Sequence, residues 1–279
     1  LLLKLHVLHF NHQLRPEADH EQAFVKSLAE QYKIPFHFKT AKHLKPGQAR
    51  LQETAREWRI EESIKILKNI GADCIATGHH ADDQTETLLL KWMRGTHISN
   101  LQGMLWKNPP FIRPLLNCGK KELMQYLKSN NFSWMEDSTN LSSAYLRNRV
   151  RMELIPLLNE LTREGLDSRI NDLNEQSSLF REWLDREYAE WEIAARSTES
   201  KYDYTISLDD LDKANRLLQE EIIYKFITTK TNMELSYKNL RNIFELLISE
   251  NKHWEYSLSE EWKLVNSGNE LSLKNEPKS

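Results

Sequence analysis

Thr77-Gly-His-His-Ala-Asp-Asp-Gln-Thr-Glu-Thr-Leu-Leu-Leu-Lys-Trp-Met-Arg-Gly95 decides the fold. Just before and at its start, Cys74-Ile75-Ala76-Thr77 is a short apolar run with β-branched residues, which suits a buried strand. Gly78 breaks that strand. Asp83 and Glu86 have the spacing of a capping box, so a helix is expected to begin at Asp82 or Asp83. Leu88, Leu89, Trp92 and Met93 recur at helical spacing, and Gly95 stands where the helix should stop. The order is strand, sharp turn, helix, with His79, His80, Asp82 and Asp83 packed into the turn. In an open α/β sheet such turns lie at the carboxyl edge of the strands, where ligands bind.

The same alternation extends outward. His6 to Phe10 alternates as a strand, and Asn11 to Pro16 is a polar loop. Glu17 to Tyr32 is an amphipathic helix, Ile34 to Phe38 a second strand, and Gln52 to Asn69 a long helix that Gly71 ends. This rhythm predicts an α/β fold, a doubly wound parallel, Rossmann-like sheet. Gly103 to Asn117 reads as a connector and Lys120 to Asn130 as a helix. Beyond about residue 158 no strand signal is seen before residue 200. Helices over Ser168 to Ala195 and Leu211 to Thr228 predict a second, mainly helical domain. Trp254 to Leu258, Glu261 to Val265 and Leu271 to Leu273, with a turn at Asn266 to Asn269, predict a closing β-hairpin. The boundary is placed at Glu164-Gly165, giving domains over residues 1–160 and 166–279. Leu1 to Leu5 reads as the end of an apolar helix that meets a strand without turn residues, so further residues are expected ahead of Leu1.

Composition narrows the function. The 279 residues are 39% apolar and 28% charged, with a net charge of −3, unlike a generic nucleic-acid-coating protein. A positive surface confined to one face remains compatible with that balance. No apolar run approaches the roughly 20 residues of a membrane span, and Leu1-Leu2-Leu3 lacks the flanks of a signal peptide. A cytoplasmic protein without membrane partners is expected. Two cysteines without a C-x-x-C spacing suggest neither a disulfide framework nor a zinc knuckle.

Four groups of residues can carry chemistry. In the central turn a carboxylate can hold Mg²⁺ beside substrate phosphates, and a histidine can donate to a phosphate. A helix cap with two loop histidines is the plain alternative. His9 and His12, beside Arg15, close the first strand and should open on the same sheet edge. Arg56 and Arg59 lie at i, i+3 on one helix, either as a solvated face or as a bidentate grip on phosphate. Arg147, Arg149 and Arg151 alternate around Asn148 and suit RNA phosphates or the phosphates of a nucleotide.

Thr77-Gly-His-His-x-Asp-Asp-Gln-x-Glu-Thr with Arg94-Gly95 resembles the second signature of the tRNA(Ile)-lysidine synthetases, N-type ATP pyrophosphatases. His9-x-x-His12-x-Leu-Arg15 is similar to the histidine-rich loop of that family. Ala55-Arg56-x-x-Arg59 resembles its A-R-x-x-R-Y element, with Ile60 where tyrosine is usual. Arg113-Pro-Leu-Leu116 matches its R-P-L-L, and Asp137-Ser-Thr-Asn140 followed by Arg147-Asn-Arg149 its D-x-(S/T)-N and R-N-x-x-R. The resemblance implies that ATP adenylates the C2 oxygen of the wobble cytidine in the CAU anticodon of tRNA(Ile). Free L-lysine then attacks C2 and expels AMP. It further implies catalytic roles for His79, Asp83, Arg59 and Arg56, and ATP-phosphate contacts from His12, His80 and Arg149. Arg147, Arg151, Arg94 and Arg113 would contact tRNA, and Asp82 and Asp83 would hold Mg²⁺. The helical domain would grip the tRNA, and a homodimer is compatible with the pattern. The family's Ser-Gly-Gly-x-Asp-Ser phosphate loop has no counterpart in the chain. It is expected, with an apolar strand, ahead of Leu1, so that a sheet edge is open for one more strand. Two rival readings are a metal-dependent phosphoesterase built on His9, His12, His79, His80, Asp82 and Asp83, and a non-catalytic RNA-binding relative.

Overall fold

The computed structural model describes residues 3–45, 47–135, 146–163, 165–196, 204–233 and 235–276. The chain divides into two compact units. One comprises Leu1–Ala81 and Leu105–Asn140, the other Asp82–Met104 and Leu141–Ser279. This differs from a single cut at Glu164-Gly165, because the central helix and the loop after it belong with the second unit.

In the first unit, β1 (Val7–Asn11), α1 (Ala18–Gln31) and β2 (Phe36–Thr40) form a βαβ crossover. The two strands are parallel, Val7 opposite Phe36 and Asn11 opposite Thr40. α2 (Leu51–Ile70) follows and ends at Gly71, whose φ of +65° a side chain would resist. β3 (Ile75–Ala76) then leads into α3 (Ala81–Arg94), which enters the second unit. The chain returns through β4 (Lys107–Asn108), β5 (Phe111–Ile112) and α4 (Lys120–Ser129). β3 is parallel to β5, and β4 is antiparallel to it.

The parallel pairing is therefore as predicted, but it comes in two ladders rather than one continuous sheet. β4 and β5 lie in the stretch read as a connector, since two-residue strands carry no periodic signal. β1 pairs only with β2 among the described residues. Residues 3–6 are not helical, which corrects the reading of Leu1 to Leu5. Val7 N donates to Pro35 O at 2.9 Å and already draws the chain into the ladder.

The second unit contains most of α3 and a 3₁₀ turn at Ile98–Asn100. A helical run follows: α5 (Leu146–Arg149), a π turn over Val150–Leu154 and α6 (Ile155–Leu161). Pro156 has no N–H to give Met152, and Ile155 N–H bonds instead to Val150 O, the i−5 pattern. α7 (Leu166–Arg196), β6 (Thr205–Ser207), α8 (Leu208–Asp212), α9 (Arg216–Thr231) and α10 (Tyr237–Leu247) come next. The predicted helix from Leu211 to Thr228 is thus two helices. Asn215 caps the second, its Oδ1 accepting from Leu218 N at 3.0 Å.

β7 (His253–Ser257), β8 (Trp262–Ser267) and β9 (Glu270–Asn275) complete the regular structure of the described residues. With β6 they form an antiparallel sheet in the order β6-β9-β8-β7, so the predicted hairpin is part of a four-stranded sheet. Three-residue β6 is too short to signal itself. Leu184, Ile222, Ile223, Ile227, Leu240, Ile243, Leu264 and Leu271 are fully buried and bind this sheet to α7, α9 and α10.

Gly95 ends α3 at φ +71°, as predicted. His97 is buried just beyond it, its Nδ1 2.7 Å from Ser99 Oγ and its ring stacked on Tyr224. That pair ties the segment after α3 to α9. No described helix is long and apolar enough to cross a membrane.

Candidate active-site residues

In the first unit the site begins with Asn11, the buried last residue of β1. Its Nδ2 donates to Asp19 Oδ1 at 2.8 Å and Gln22 Oε1 at 3.1 Å, while its Oδ1 accepts from Gln13 N at 2.9 Å. All three bonds pin the turn that presents His12. Trp58 of α2 is the common packing surface, with Phe10, His12 and His43 edge-on at 5.7, 5.4 and 5.8 Å.

The neighbouring charges that act on His12, Arg59 and Arg113 have one sign. Loss of solvation pulls His12 below the ordinary histidine range, and Arg59, His9 and Arg15 push it the same way. Desolvation likewise lowers Arg59 and Arg113, and in both cases Arg56 is the neighbouring charge that adds to the effect. Arg56, Arg59, Arg113 and His12 are thus linked electrostatically. Arg56 and Arg59 are exposed, so the group is open to a ligand. His12 Nδ1 and Arg113 Nε are buried without a hydrogen-bond partner among the described residues. Arg113 is oriented by its Nη1, which donates to Leu105 O at 2.6 Å. Buried donors lacking acceptors, among cations that repel one another, make a fit for phosphate oxygens. Arg15 differs, being paired with Glu21 at 3.1 Å.

The turn after β3 is fixed from both ends. Thr77 N donates to Ile112 O at 3.0 Å, and Ala81 N, the first amide of α3, donates to Cys118 O at 3.0 Å. Between them His79 Nδ1 lies 2.8 Å from Thr77 Oγ1, which sets the ring's orientation. His80 is half-buried in the same turn.

In the second unit the expectation of a capping box is overturned. α3 starts at Ala81, so Asp83 and Glu86 are already inside the helix and share a face at i, i+3. Glu86 is fully buried and Asp83 nearly so. Arg147 Nε donates to Glu86 Oε2 at 2.8 Å, and Arg151 Nε donates to Glu86 Oε1. Their outer nitrogens stand 3.4 and 3.5 Å from Asp83 Oδ1. Burial, the largest influence on Arg151, lowers its proton affinity. Glu86, Asp83 and Asp82 outweigh it and hold that guanidinium above its ordinary range. Two cations and two carboxylates therefore close a neutral network.

Arg147 and Arg151 accordingly face carboxylates of α3, where contacts to tRNA were expected. Arg149 points away from that network and pairs on the surface with Glu153 at 2.9 Å. Arg94 is exposed in the last turn of α3. Asp137 to Asn140 lie outside the described residues. Asp83, expected to hold Mg²⁺, is engaged by two arginines, and that arrangement does not fit a metal ligand. Among the described residues no group of three or more His, Cys, Asp or Glu side chains is placed to hold a metal ion. Sequence reasoning missed Glu86 as an arginine partner and Gln84 altogether. The i, i+3 spacing of Asp83 and Glu86 on one helix face was the available signal.

Residues 1–158 match the family model described as a PP-loop domain. The chain is similar to a tRNA(Ile)-lysidine synthase of Enterococcus faecalis, 30% identical over 279 residues, taking in 97% of this chain and 60% of the relative. It is similar to one of Nostoc sp., 29% identical over 265 residues, taking in 89% of this chain and 76% of the relative. The chain thus spans about 60% of the Enterococcus relative's length. Among solved structures, the U34-tRNA thiolase NcsA from Methanococcus maripaludis, with its 4Fe-4S cluster, matches at a TM-score of 0.51 and 15% identity. That match covers 63% of this chain and 60% of the thiolase, and it bears on the fold alone.

Proposed function

The chain belongs to the PP-loop domain family, and we propose that it uses ATP to join free L-lysine to C2 of the wobble cytidine in the CAU anticodon of tRNA(Ile). The observation that carries the reading is the cationic group of Arg56, Arg59, Arg113 and His12, with its partnerless buried donors. A polyphosphate supplies the negative charge that this group lacks. Relatives at 29–30% identity over most of the chain supply the substrate class.

In this reading Arg59 and Arg56 hold the phosphates and stabilise charge that builds up on departing pyrophosphate. His12, kept neutral by its surroundings, offers an N–H to a phosphate oxygen without adding another full positive charge. His79, oriented by Thr77, serves the cytidine and ATP at the turn after β3. Bringing the cytidine, ATP and lysine together in a fixed geometry supplies proximity. Asp83 and Glu86 with Arg147 and Arg151 shape the first turns of α3. The second unit supplies the larger surface that recognition of one tRNA requires.

The test uses labelled lysine, ATP and a tRNA transcript carrying a CAU anticodon. Lysine should enter the RNA with equal formation of AMP and pyrophosphate, and replacing the wobble cytidine by uridine should abolish it. ATP turnover that ignores the wobble base, or ADP as product, overturns the reading.

A further inference from the structure

Gln84 lies between Asp83 and Glu86 in the central motif, yet neither the arginine network nor the phosphate group uses it. It is 6% exposed, and its amide is spent on one backbone position. Met104 N donates to Gln84 Oε1 at 2.5 Å, and Gln84 Nε2 donates to Met104 O at 2.8 Å. One carboxamide thus takes both polar groups of a single residue, as a neighbouring strand would. Reversing the amide would set donor against donor and acceptor against acceptor, so the geometry admits one orientation. The adjacent amide, Gly103 N, donates to Asn174 Oδ1 of α7 at 2.8 Å. A Cβ at Gly103 would overlap Gln84 Oε1 and stand 2.5 Å from Asn174 Oδ1. A side chain at 103 would therefore have to push both amide groups aside.

We propose that Gln84 is a positioning residue, a two-pronged clamp between the first turn of α3 and the returning backbone at Met104 that fixes the start of that helix, and with it His79 in the turn just ahead, for the reaction. It touches no reacting atom. Its effect runs through helix placement, since α3 is held at its start by Ala81 N and farther along by Lys91 Nζ, which donates to Asn100 O and Gln102 O at 2.9 and 2.7 Å. Gln84 supplies the hold between those points, on the turn that bears both carboxylates. A shift of about 1 Å in catalytic groups can reduce a rate about 100-fold.

The inference rests on the proposed lysine ligation, so its experiment has a readout that does not depend on it. Gln84→Glu keeps the shape and removes the donor, setting a carboxylate against Met104 O. Protonation of the introduced carboxyl restores an O–H donor at that point, and burial beside a carbonyl favours the protonated form. At pH 8 the variant should lose about 100-fold in kcat with KM for ATP unchanged. The ratio of variant to wild-type kcat should then climb about 10-fold or more as pH falls to 6. A variant harmed only by loosened packing has no reason to recover on acidification. Amide hydrogen exchange supplies the independent readout, with protection at Met104 lost in Gln84→Ala and kept in Gln84→Glu, whose carboxylate still accepts from Met104 N. Wild-type kcat in Gln84→Ala despite lost protection overturns the positioning role, and a flat pH ratio does the same if Gln84→Ala fails to fold. Unchanged protection at Met104 in Gln84→Ala overturns the clamp itself. A wild-type protein that ligates no lysine removes the proposed function, while the Met104 protection still decides the contact.

Discussion

The molecule holds two groups of arginines that look alike in sequence and differ in what surrounds them. Arg56, Arg59 and Arg113 in the first unit stand near one another and near His12, and their neighbouring charges are positive. Arg147 and Arg151 in the second unit are answered in place by Glu86 and Asp83. Among the described residues the first arrangement is left unanswered and costs stability unless an anion arrives, whereas the second is complete without one. A cluster of arginines is therefore evidence for a phosphate site only when its counter-charges are absent from the fold.

The largest expected effect lies in the first group. Arg59→Ala should lower kcat for lysine incorporation by about 100- to 1,000-fold, the scale for removing one preorganised donor from a developing charge. Its folding stability should hold or rise, because the replacement relieves repulsion with Arg56. Paired measurements of kcat and urea midpoint check this. A loss of stability in step with activity would make Arg59 structural and erase the contrast between the groups.

Glu86→Gln should do the reverse. Two arginines would share the one remaining carboxylate of the pair, and the glutamine could offer only part of its acceptor capacity. Removing one partner of a fully buried pair costs about 3–5 kcal/mol. Here the guanidiniums are 48% and 29% exposed and water screens them, so about 2–3 kcal/mol is expected. Urea unfolding reads this directly. A change under about 0.5 kcal/mol, the level of ordinary surface substitutions, would mean that the network holds nothing.

Much of this contrast was legible in the residues, but only as positions. The strand-turn-helix at Thr77 to Gly95 and the βαβ crossover at its upstream end follow from periodicity, and both are present. Gly95 was readable because a left-handed C-terminal residue is a local requirement. β4, β5 and β6 were not, since strands of two or three residues exist only through their partners. The same distinction governs the site. Asp83 and Glu86 read as a cap because a local motif is visible along the chain, whereas the arginines that claim them stand more than 60 positions away. Gln84 stood inside the signature without a legible role, because its partner is the backbone of Met104, which any residue presents.

The smallest effect isolates the face of the helix. Arg149 lies between Arg147 and Arg151 in sequence, yet it pairs with Glu153 in the open. Their hydrogen bond lowers the proton affinity of Glu153 and raises that of Arg149, and both side chains are more than half exposed. An exposed i, i+4 pair is a weak stabiliser, so Arg149→Ala should leave the urea midpoint unchanged within error. Activity then decides what Arg149 is for. A KM for ATP that rises about 10-fold, the scale of one lost charge-assisted hydrogen bond, would extend the phosphate-binding group to this arginine, as the family resemblance implies. An unchanged KM for ATP with weaker tRNA binding, and a salt dependence flatter by about one ion, would place it on the RNA backbone. No change in either would leave Arg149 as solvated surface, and the contrast would then reduce to buried counter-charges on one side and their absence on the other.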